Sequence, residues 1–519
     1  MEQEDESSED EDDFAVDAEI VERWWNSRNS PIQLKIYEPQ MSIYSSGNGL
    51  HVSLDINPLR GLDLVLSPIS TNKADLEASL RPDIASGTTP PAGNSELYRH
   101  WFRTCSESHV KCYEFGRKSQ PFVPNRLVEI CTNDDGKSFT WRIVCHVNIG
   151  NVQYLTLSHC WGSSRHTCLT TDNYPAFLKF TAYSGLPKTF RDSFLIAFWL
   201  GFRFIWIDSL CIVQNDLGDW KAQASMMASV YQNSCCNIAV VWAADSNDGC
   251  FMRGKSRIIT LDLGLGQPIE YQLSSANLYY DDLLEAPLNT RGWVVQERYL
   301  ARKQLSFAKS QICWECLELV ASEQYPTGIP EQLQDFSFLG QARPPTGKPS
   351  LNLTTETDLR EAWAALVEIY SGCNFTKSSD KMIALAGLAE EMRKITKDTY
   401  LAGPWKKDLQ RQLCWTTDSN VRERSMTPTY LAPTWSWINV NGPVRSDQRY
   451  YMPHEEDLSC IEVLEASVHL EHSSKLHSFV SSNLVLRGIA VWGKAAIRAG
   501  ASASKHRNDC WELQSNDFD

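Results

Sequence analysis

The sequence predicts an α/β protein built on a mostly parallel sheet, with β-rich insertions and helical and β-rich additions on both flanks. Three observations predict it. Short β-rich runs alternate with helix-period segments between 153 and 243. Two of those runs end in polar residues, Ser158 and Asp208, and the helix between them has recognisable start and stop signals. Strands separated by helices need crossover connections, and crossovers give parallel pairs.

From the N-terminus, residues 1–22 read as an acidic tail. Eleven of the first 19 residues are Asp or Glu, with no Lys or Arg among them, which predicts a solvated, disordered arm. An N-terminal flanking region covers 23–150. Residues 23–65 alternate loosely, as in HVSLDI, and predict a hairpin, while 67–94 are rich in Pro, Ser, Thr and Gly and read as a linker. Trp101 to Cys112 reads as a helix, and Arg126–Ile130 and Trp141–Val147 as strands.

The central domain spans 154–300, its core extending to about 316. Tyr154–Ser158 is a strand closed by His159-Cys160-Trp161-Gly162. Thr189 with Asp192 has the form of a capping box, opening a helix to Leu200 with Gly201 at its C′ position. Phe190, Phe194, Leu195, Ile196, Phe198 and Trp199 make that helix apolar nearly all round, so it should be deeply buried. Phe204–Ile207 reads as a strand ending in Asp208, Trp220–Tyr231 as a helix, and Asn237–Trp242 as a further buried strand. Alternation in RIITLDL and IEYQL predicts a β insertion at 257–273. Asn289 caps a helix through Leu300, with strands following at Gln304–Phe307 and Ile312–Cys316. A second linker covers 326–357. The C-terminal region, 358–519, begins with amphipathic helices at 358–371, 380–394 and 404–416, then turns strand-rich from Ala432 and includes Asn483–Val491.

Composition narrows the function. At 42% apolar and 22% charged, 519 residues can bury a large core. No apolar run approaches the ~18–20 residues of a membrane helix, and no basic-then-apolar leader opens the chain. It reads as soluble, cytoplasmic and without a membrane partner. The acidic tail accounts for most of the net charge of −15, the other 500 residues carrying −4. Without a basic patch interleaved with aromatics, nucleic acid is not an expected partner. Sixteen cysteines are ordinary for a reduced protein of this length. Only Cys105, His109 and Cys112 cluster, in WFRTCSESHVKC, and they have the chemistry of three zinc ligands. No fourth lies nearby, so the segment is read first as a helical patch burying Trp101, Cys105 and Cys112, with no metal assigned and zinc ligation left as the alternative. The eighteen Trp are unusual, and many stand beside polar motif residues, where an indole can pack and donate one hydrogen bond.

Open parallel sheets take ligands beyond the carboxyl ends of their strands. Ser158–Gly162 and Asp208–Cys211 fall at such ends. Ser158 and Gly162 are placed to approach a pyrophosphate, although no GxGxxG or Walker sequence is present. Asp208 suits a ribose or the capping of the next loop. Cys160 and His159 are adjacent, so their side chains diverge, and no G-x-S-x-G elbow exists.

Six stretches together carry a family resemblance: Leu157-Ser158-His159-Cys160-Trp161-Gly162; Leu186-Pro187-Lys188-Thr189-Phe190; Trp206 to Gln214; Asn289-Thr290-Arg291-Gly292-Trp293 with Gln296-Glu297-Arg298; Trp314-Glu315-Cys316; and Ala432-Pro433-Thr434-Trp435-Ser436-Trp437. In these the chain resembles the fungal heterokaryon-incompatibility (HET) domain proteins. The flanks are similar to the wider family too, at Trp101…Cys112 and at Asp380-Lys381…Leu401-Ala402-Gly403-Pro404-Trp405. His159 departs from the pattern. The resemblance implies non-self recognition and regulated cell death, with other incompatibility or signalling proteins, or further copies of the chain, as partners. It also implies a TIR/flavodoxin-like fold, because the HET domain is distantly similar to Toll/interleukin-1-receptor (TIR) domains. Some TIR domains cleave NAD+ at the nicotinamide–ribose bond with one helix glutamate, and plant versions carry Trp-x-x-x-Glu. Trp293 and Glu297 have that spacing here.

On that reading Glu297 is the catalytic carboxylate, NAD+ is a substrate, and neither cofactor nor metal is required. Ser158, Gly162 and Asp208 orient ribose and phosphate, Trp293 stacks on the nicotinamide, and Arg291 offers a planar donor to the pyrophosphate. Two readings compete with it. Glu297 is a structural partner of Arg291, Arg298 or Arg302, or the whole chain is a non-catalytic interaction module.

Overall fold

The computed structural model describes residues 40–46, 49–55, 62–68, 95–113, 122–132, 138–163, 167–252, 257–261, 269–275, 282–283, 286–323, 325–329, 356–417, 431–446, 461–471, 476–477 and 479–488. The acidic tail and most of both expected linkers lie outside the described residues.

The first described elements are β1 (Gln40–Ser46), β2 (Gly49–Asp55) and β3 (Leu62–Pro68), then α1 (Ser95–Ser108), β4 (Arg126–Thr132) and β5 (Phe139–Cys145). Next come β6 (Leu155–Ser158), β7 (Thr181–Ala182), α2 (Lys188–Trp199), β8 (Phe204–Ile207), α3 (Leu217–Ala224), α4 (Met227–Asn233) and β9 (Asn237–Val240). The insertion forms β10 (Arg257–Leu261) and β11 (Ile269–Ser275), followed by α5 (Gly292–Leu300), β12 (Gln304–Phe307), β13 (Ile312–Glu315) and β14 (Val320–Ser322). Two long helices, α6 (Glu356–Ser371) and α7 (Asp380–Thr396), precede β15 (Trp415–Thr417), β16 (Val444–Ser446), β17 (Ile461–Leu470) and β18 (Phe479–Gly488).

The expected N-terminal hairpin and the expected insertion belong to one antiparallel sheet, of order β1-β2-β3-β11-β10. A second, nine-stranded sheet has the order β14-β13-β12-β9-β6-β8-β4-β5-β7. Parallel pairing is confined to its centre, β12, β9, β6 and β8. The expectation of a mostly parallel sheet therefore holds for the centre alone. Sequential neighbours such as β4 and β5, or β12 and β13, are separated by only a few residues and pair antiparallel, with no crossover needed. Taken in chain order, the four parallel strands lie 2-1-3-4 across the sheet, so their order reverses between β6 and β9. Ligands of open α/β sheets bind at such a reversal.

Strand register sorts the side chains onto two unlike faces. Leu155, Leu157, Ile207, Ile238, Leu305 and Phe307 share one face. It is covered by α1 and α2, where Tyr98 meets Phe307 at 5.9 Å and Trp199 at 6.2 Å between ring centroids. Thr156, Ser158, Asn237, Gln304, Ser306 and Glu315 lie on the other face and are all buried. Over this polar face pack α4, whose Tyr231 meets Trp206 at 5.8 Å, and α5, whose Arg298 pairs with Glu315. Apolar residues of the flanks and of the central segment, from Leu97 to Leu476, join one hydrophobic core.

Several local expectations are corrected. Thr189 and Asp192 do not cap α2, which begins at Lys188 after Pro187. Instead Thr189 Oγ1 accepts from the Gly249 amide at 3.2 Å and Asp192 from the Cys250 amide at 2.9 Å, so both fasten the loop after β9. The stop signal holds: Gly201 has φ +80°, where a β-carbon is disfavoured. Phe190, Phe194 and Ile196 of α2 are buried, but Phe198 is 36% exposed, so the helix has an outer side. The helix expected over Trp220–Tyr231 breaks at Ser225–Met226 into α3 and α4. Asn289 lies in a 3₁₀ turn, and Arg291 is the cap residue of α5. The segment 404–416 is mainly turns around a short helix at Leu409–Gln412, because Asp408 adopts a positive φ that a continuous helix cannot contain.

Candidate active site

The polar face of the central sheet leads to the carboxyl ends of β6 and β8. Ser158 ends β6, and Asp208 follows β8, its parallel neighbour. The Ser158 hydroxyl is anchored from β9, accepting from Asn237 Nδ2 at 3.0 Å, which leaves its one proton for a second partner. Above it, α5 delivers Glu297 and α4 delivers Tyr231. The Glu297 carboxylate is hydrogen-bonded to the side chains of both Ser158 and Tyr231.

Burial governs the chemistry of this group. Glu297 is 7% exposed, and loss of water pushes its pKa from 4.5 up to about 7. The hydrogen bond from Ser158, the charge of Arg291 and the hydrogen bond from Tyr231 work against that rise, while the charge of Asp208 adds to it. Burial likewise raises the Tyr231 phenol well above its ordinary range, so it stays a neutral donor. A carboxyl group with a pKa near neutrality can take up or release a proton at physiological pH.

Of the arginines weighed as ion-pair partners, Arg291 acts on Glu297. Arg298 is held by Glu315 through two bonds, at 2.7 and 3.2 Å, and Arg302 acts on Tyr154 and Cys235. Arg291 Nη1 donates to the His159 carbonyl at 2.5 Å, and its guanidinium also bonds the Cys160 thiol. Burial raises the pKa of that thiol and Arg291 opposes the rise, so Cys160 is a protonated thiol rather than a nucleophile. His159 is buried edge-on to Phe190, 5.1 Å between ring centroids. Asp208 accepts from the Ser209 amide at 2.7 Å and from Trp161 Nε1 at 3.0 Å, and stays partly open to solvent.

Ser158, Asp208, Arg291 and Glu297 are thus brought together. Trp293 is turned elsewhere. Its indole donates to Asp380 of α7 at 3.3 Å and meets Trp220 of α3 edge-on at 6.5 Å. Gly162 occupies an exposed turn with φ +75°, where a β-carbon would come within 2.8 Å of the Asp245 Cα. Contact with Asp245 accounts for this glycine without a phosphate.

Tyr231, Asn237 and Gln304 belong to the site and were not singled out from the sequence. Asn237 links Thr156 and Ser158 to Gln304, and Gln304 reaches Glu315 at 3.3 Å, which makes a continuous buried polar ladder across four strands. The signal was the period-two alternation in LTLS, NIAV and QLSF, which puts every polar residue on one face. The C-terminal region holds α5 in place. Gly387 of α7 leaves no room for a β-carbon beside Ala228 of α4 and Gln296 of α5, and Phe375 lies against Gly292.

The arrangement defines an α/β domain with a buried, near-neutral carboxylate gathered at the ends of its parallel strands. Residues 154–297 match the family model described as Heterokaryon incompatibility protein (HET), so the chain carries a HET domain over that segment. The match opens one residue before β6 and closes on Glu297; β4, β5 and β12–β14 of the same sheet lie outside it. Neither the curated proteins nor the solved structures gave a match to this chain. Among the described residues, no helix is long and apolar enough to cross a membrane.

Proposed function

We propose that this HET domain cleaves NAD+ at the nicotinamide–ribose bond, with Glu297 as the catalytic carboxylate, in heterokaryon incompatibility and the cell-death signalling attached to it. The observation that carries the reading is the Ser158–Tyr231–Glu297 cluster beside Arg291, which gives a desolvated carboxylate with a pKa of about 7. The 2-1-3-4 order of the parallel strands is that of flavodoxin-like modules, and it supports the TIR-like assignment.

The reaction asks little of the protein. The C1′–N bond breaks with its electron pair leaving on neutral nicotinamide, and the ribose becomes oxocarbenium-like. Ionised Glu297 stabilises that positive charge. Water then adds at C1′ and loses a proton, giving ADP-ribose. Ser158 and Tyr231 hold the carboxylate in one orientation, Asp208 meets the ribose hydroxyls, and Arg291 pairs with the pyrophosphate. Purified protein, assayed at high concentration so that self-association is covered, should release nicotinamide from NAD+. Removing one charge-stabilising group costs roughly 10²–10³ in rate, so Glu297→Gln should lose at least that much.

A second reading, the non-catalytic interaction module, rests on Trp161, whose indole is hydrogen-bonded to Asp208, so that carboxylate is already engaged by the chain itself. Folded wild type that releases no nicotinamide in any assembly state would favour it.

A further inference from the structure

The sequence cluster Cys105, His109 and Cys112 lacks a fourth partner nearby, and the fold supplies one from 204 residues further on, Cys316. Cys105 lies on α1, His109 just after its end, and Cys112 in the helical turn that follows. Cys316 stands immediately after β13, in the turn towards β14. One ligand-type atom from each of the four lies within 4.8 Å of all the others, and Cys316 Sγ is 3.3 Å from His109 Nδ1. The three thiols are buried and the imidazole is partly exposed.

We propose that Cys105, His109, Cys112 and Cys316 bind one zinc ion in a closed structural site. Tetrahedral zinc, with Zn–S of about 2.3 Å and Zn–N of about 2.0 Å, sets its ligand atoms roughly 3.5–3.8 Å apart, so small rotations of these side chains complete the site. A set of three thiolates and one imidazole is a recognised structural zinc set, and four protein ligands leave no open position for catalysis. The surroundings fit a metal-bound thiolate. The Leu319 amide donates to Cys316 Sγ at 3.3 Å while the Cys316 amide bonds the Leu319 carbonyl at 2.9 Å, so a closed turn aims the sulfur. Lys303 donates to Ser106 at 2.6 Å, bringing a positive charge beside a centre whose net charge with Zn²⁺ is −1. A disulfide would engage two of the three thiols and leave the third, with the imidazole, unused. The cysteines among the described residues are free thiols.

Bound zinc would tie α1 of the N-terminal flank to the β13–β14 edge of the central sheet. Both elements lie outside residues 154–297, so the ion would clamp the two flanks together across the HET domain. Binding releases the thiol protons and favours the folded state, because the complete set forms only when Cys316 is brought 204 residues back to the other three.

The test uses the full chain purified without chelator. Elemental analysis should find about one zinc per chain. Cobalt(II) exchanged into the site should show the intense ligand-field bands of a tetrahedral ion and charge transfer from three thiolates. Cys316→Ser should lower retained zinc at least about tenfold, while Cys414→Ser, at an exposed cysteine, should leave it unchanged. Because the serine variant risks misfolding, Cys316→His provides a conservative check: it should keep cobalt in a tetrahedral site with charge transfer from two thiolates. Wild type that takes up neither zinc nor cobalt stoichiometrically, a native disulfide among these cysteines, or a Cys316→His spectrum identical to wild type would overturn the proposal.

Discussion

Glu297→Gln should make the protein more stable than wild type at neutral pH, by an amount that depends on pH. The wild-type carboxyl titrates at 4.5 when water surrounds it and at about 7 in the folded site. Because the folded value is the higher one, the folded state holds an extra proton between those limits. The stabilisation is fully present below pH 4.5 and is lost as pH rises through about 7. A shift of that size corresponds to about 3 kcal/mol. Glutamine resembles the protonated carboxyl in shape and can still meet Ser158 and Tyr231, and it does not titrate. Urea unfolding of both proteins from pH 4.5 to 8.5 isolates Glu297, since other groups cancel in the difference. The two should be nearly equal at the acid end, diverge towards pH 7 by up to about 3 kcal/mol in favour of the variant, and then stay parallel. A difference that does not change with pH would refute the reasoning, as would a variant that is less stable throughout.

Other substitutions probe the support around the site. Tyr231→Phe removes a hydrogen bond that favours the ionised carboxyl, so the Glu297 midpoint should rise above wild type; carboxyl infrared difference titration would read it, and an unchanged midpoint would contradict the assignment. Arg298→Met removes the cation paired with buried Glu315 and should cost about 3–5 kcal/mol in unfolding free energy, whereas an exposed pair such as Arg487–Glu462 should be worth less than about 1 kcal/mol. Gly387→Val drives a side chain into Ala228 and Gln296, 2.6 Å from the added β-carbon, and should destabilise the α5–α7 contact by about 1–3 kcal/mol, read as a lower denaturation midpoint.

Much of the central segment was legible in the sequence because its signals are local. β6, α2, β8, β9, β12 and β13 fall where alternation and the Gly201 stop place them. Ser158 and Asp208 were placed at strand ends by the same reasoning, and Glu297 by the helix spacing and the family resemblance. What escaped depends on tertiary structure. Thr189 and Asp192 have a capping pattern, yet the loop after β9 offers unpaired amides at Gly249 and Cys250 and takes both side chains. Tyr231 carries no motif; only the packing of α4 over the sheet aims its hydroxyl at Glu297. Trp293 has the expected spacing from Glu297, but α7 offers Asp380 on the other side, and no pattern within α5 reveals that. Cys316 is likewise silent until β13 is laid beside α1.

The pH dependence of NAD+ cleavage by the wild-type chain tests the central claim most directly, because the account ties turnover to the ionised form of one buried carboxyl. Nicotinamide release should be low at pH 5, rise through a midpoint near 7 and level off above it, following the Glu297 titration. Glu297→Gln should fall by at least roughly 10² at the plateau while remaining folded. Equal release by wild type and a folded Glu297→Gln variant, or a wild-type profile with no inflection between pH 5 and 8.5, would contradict the account.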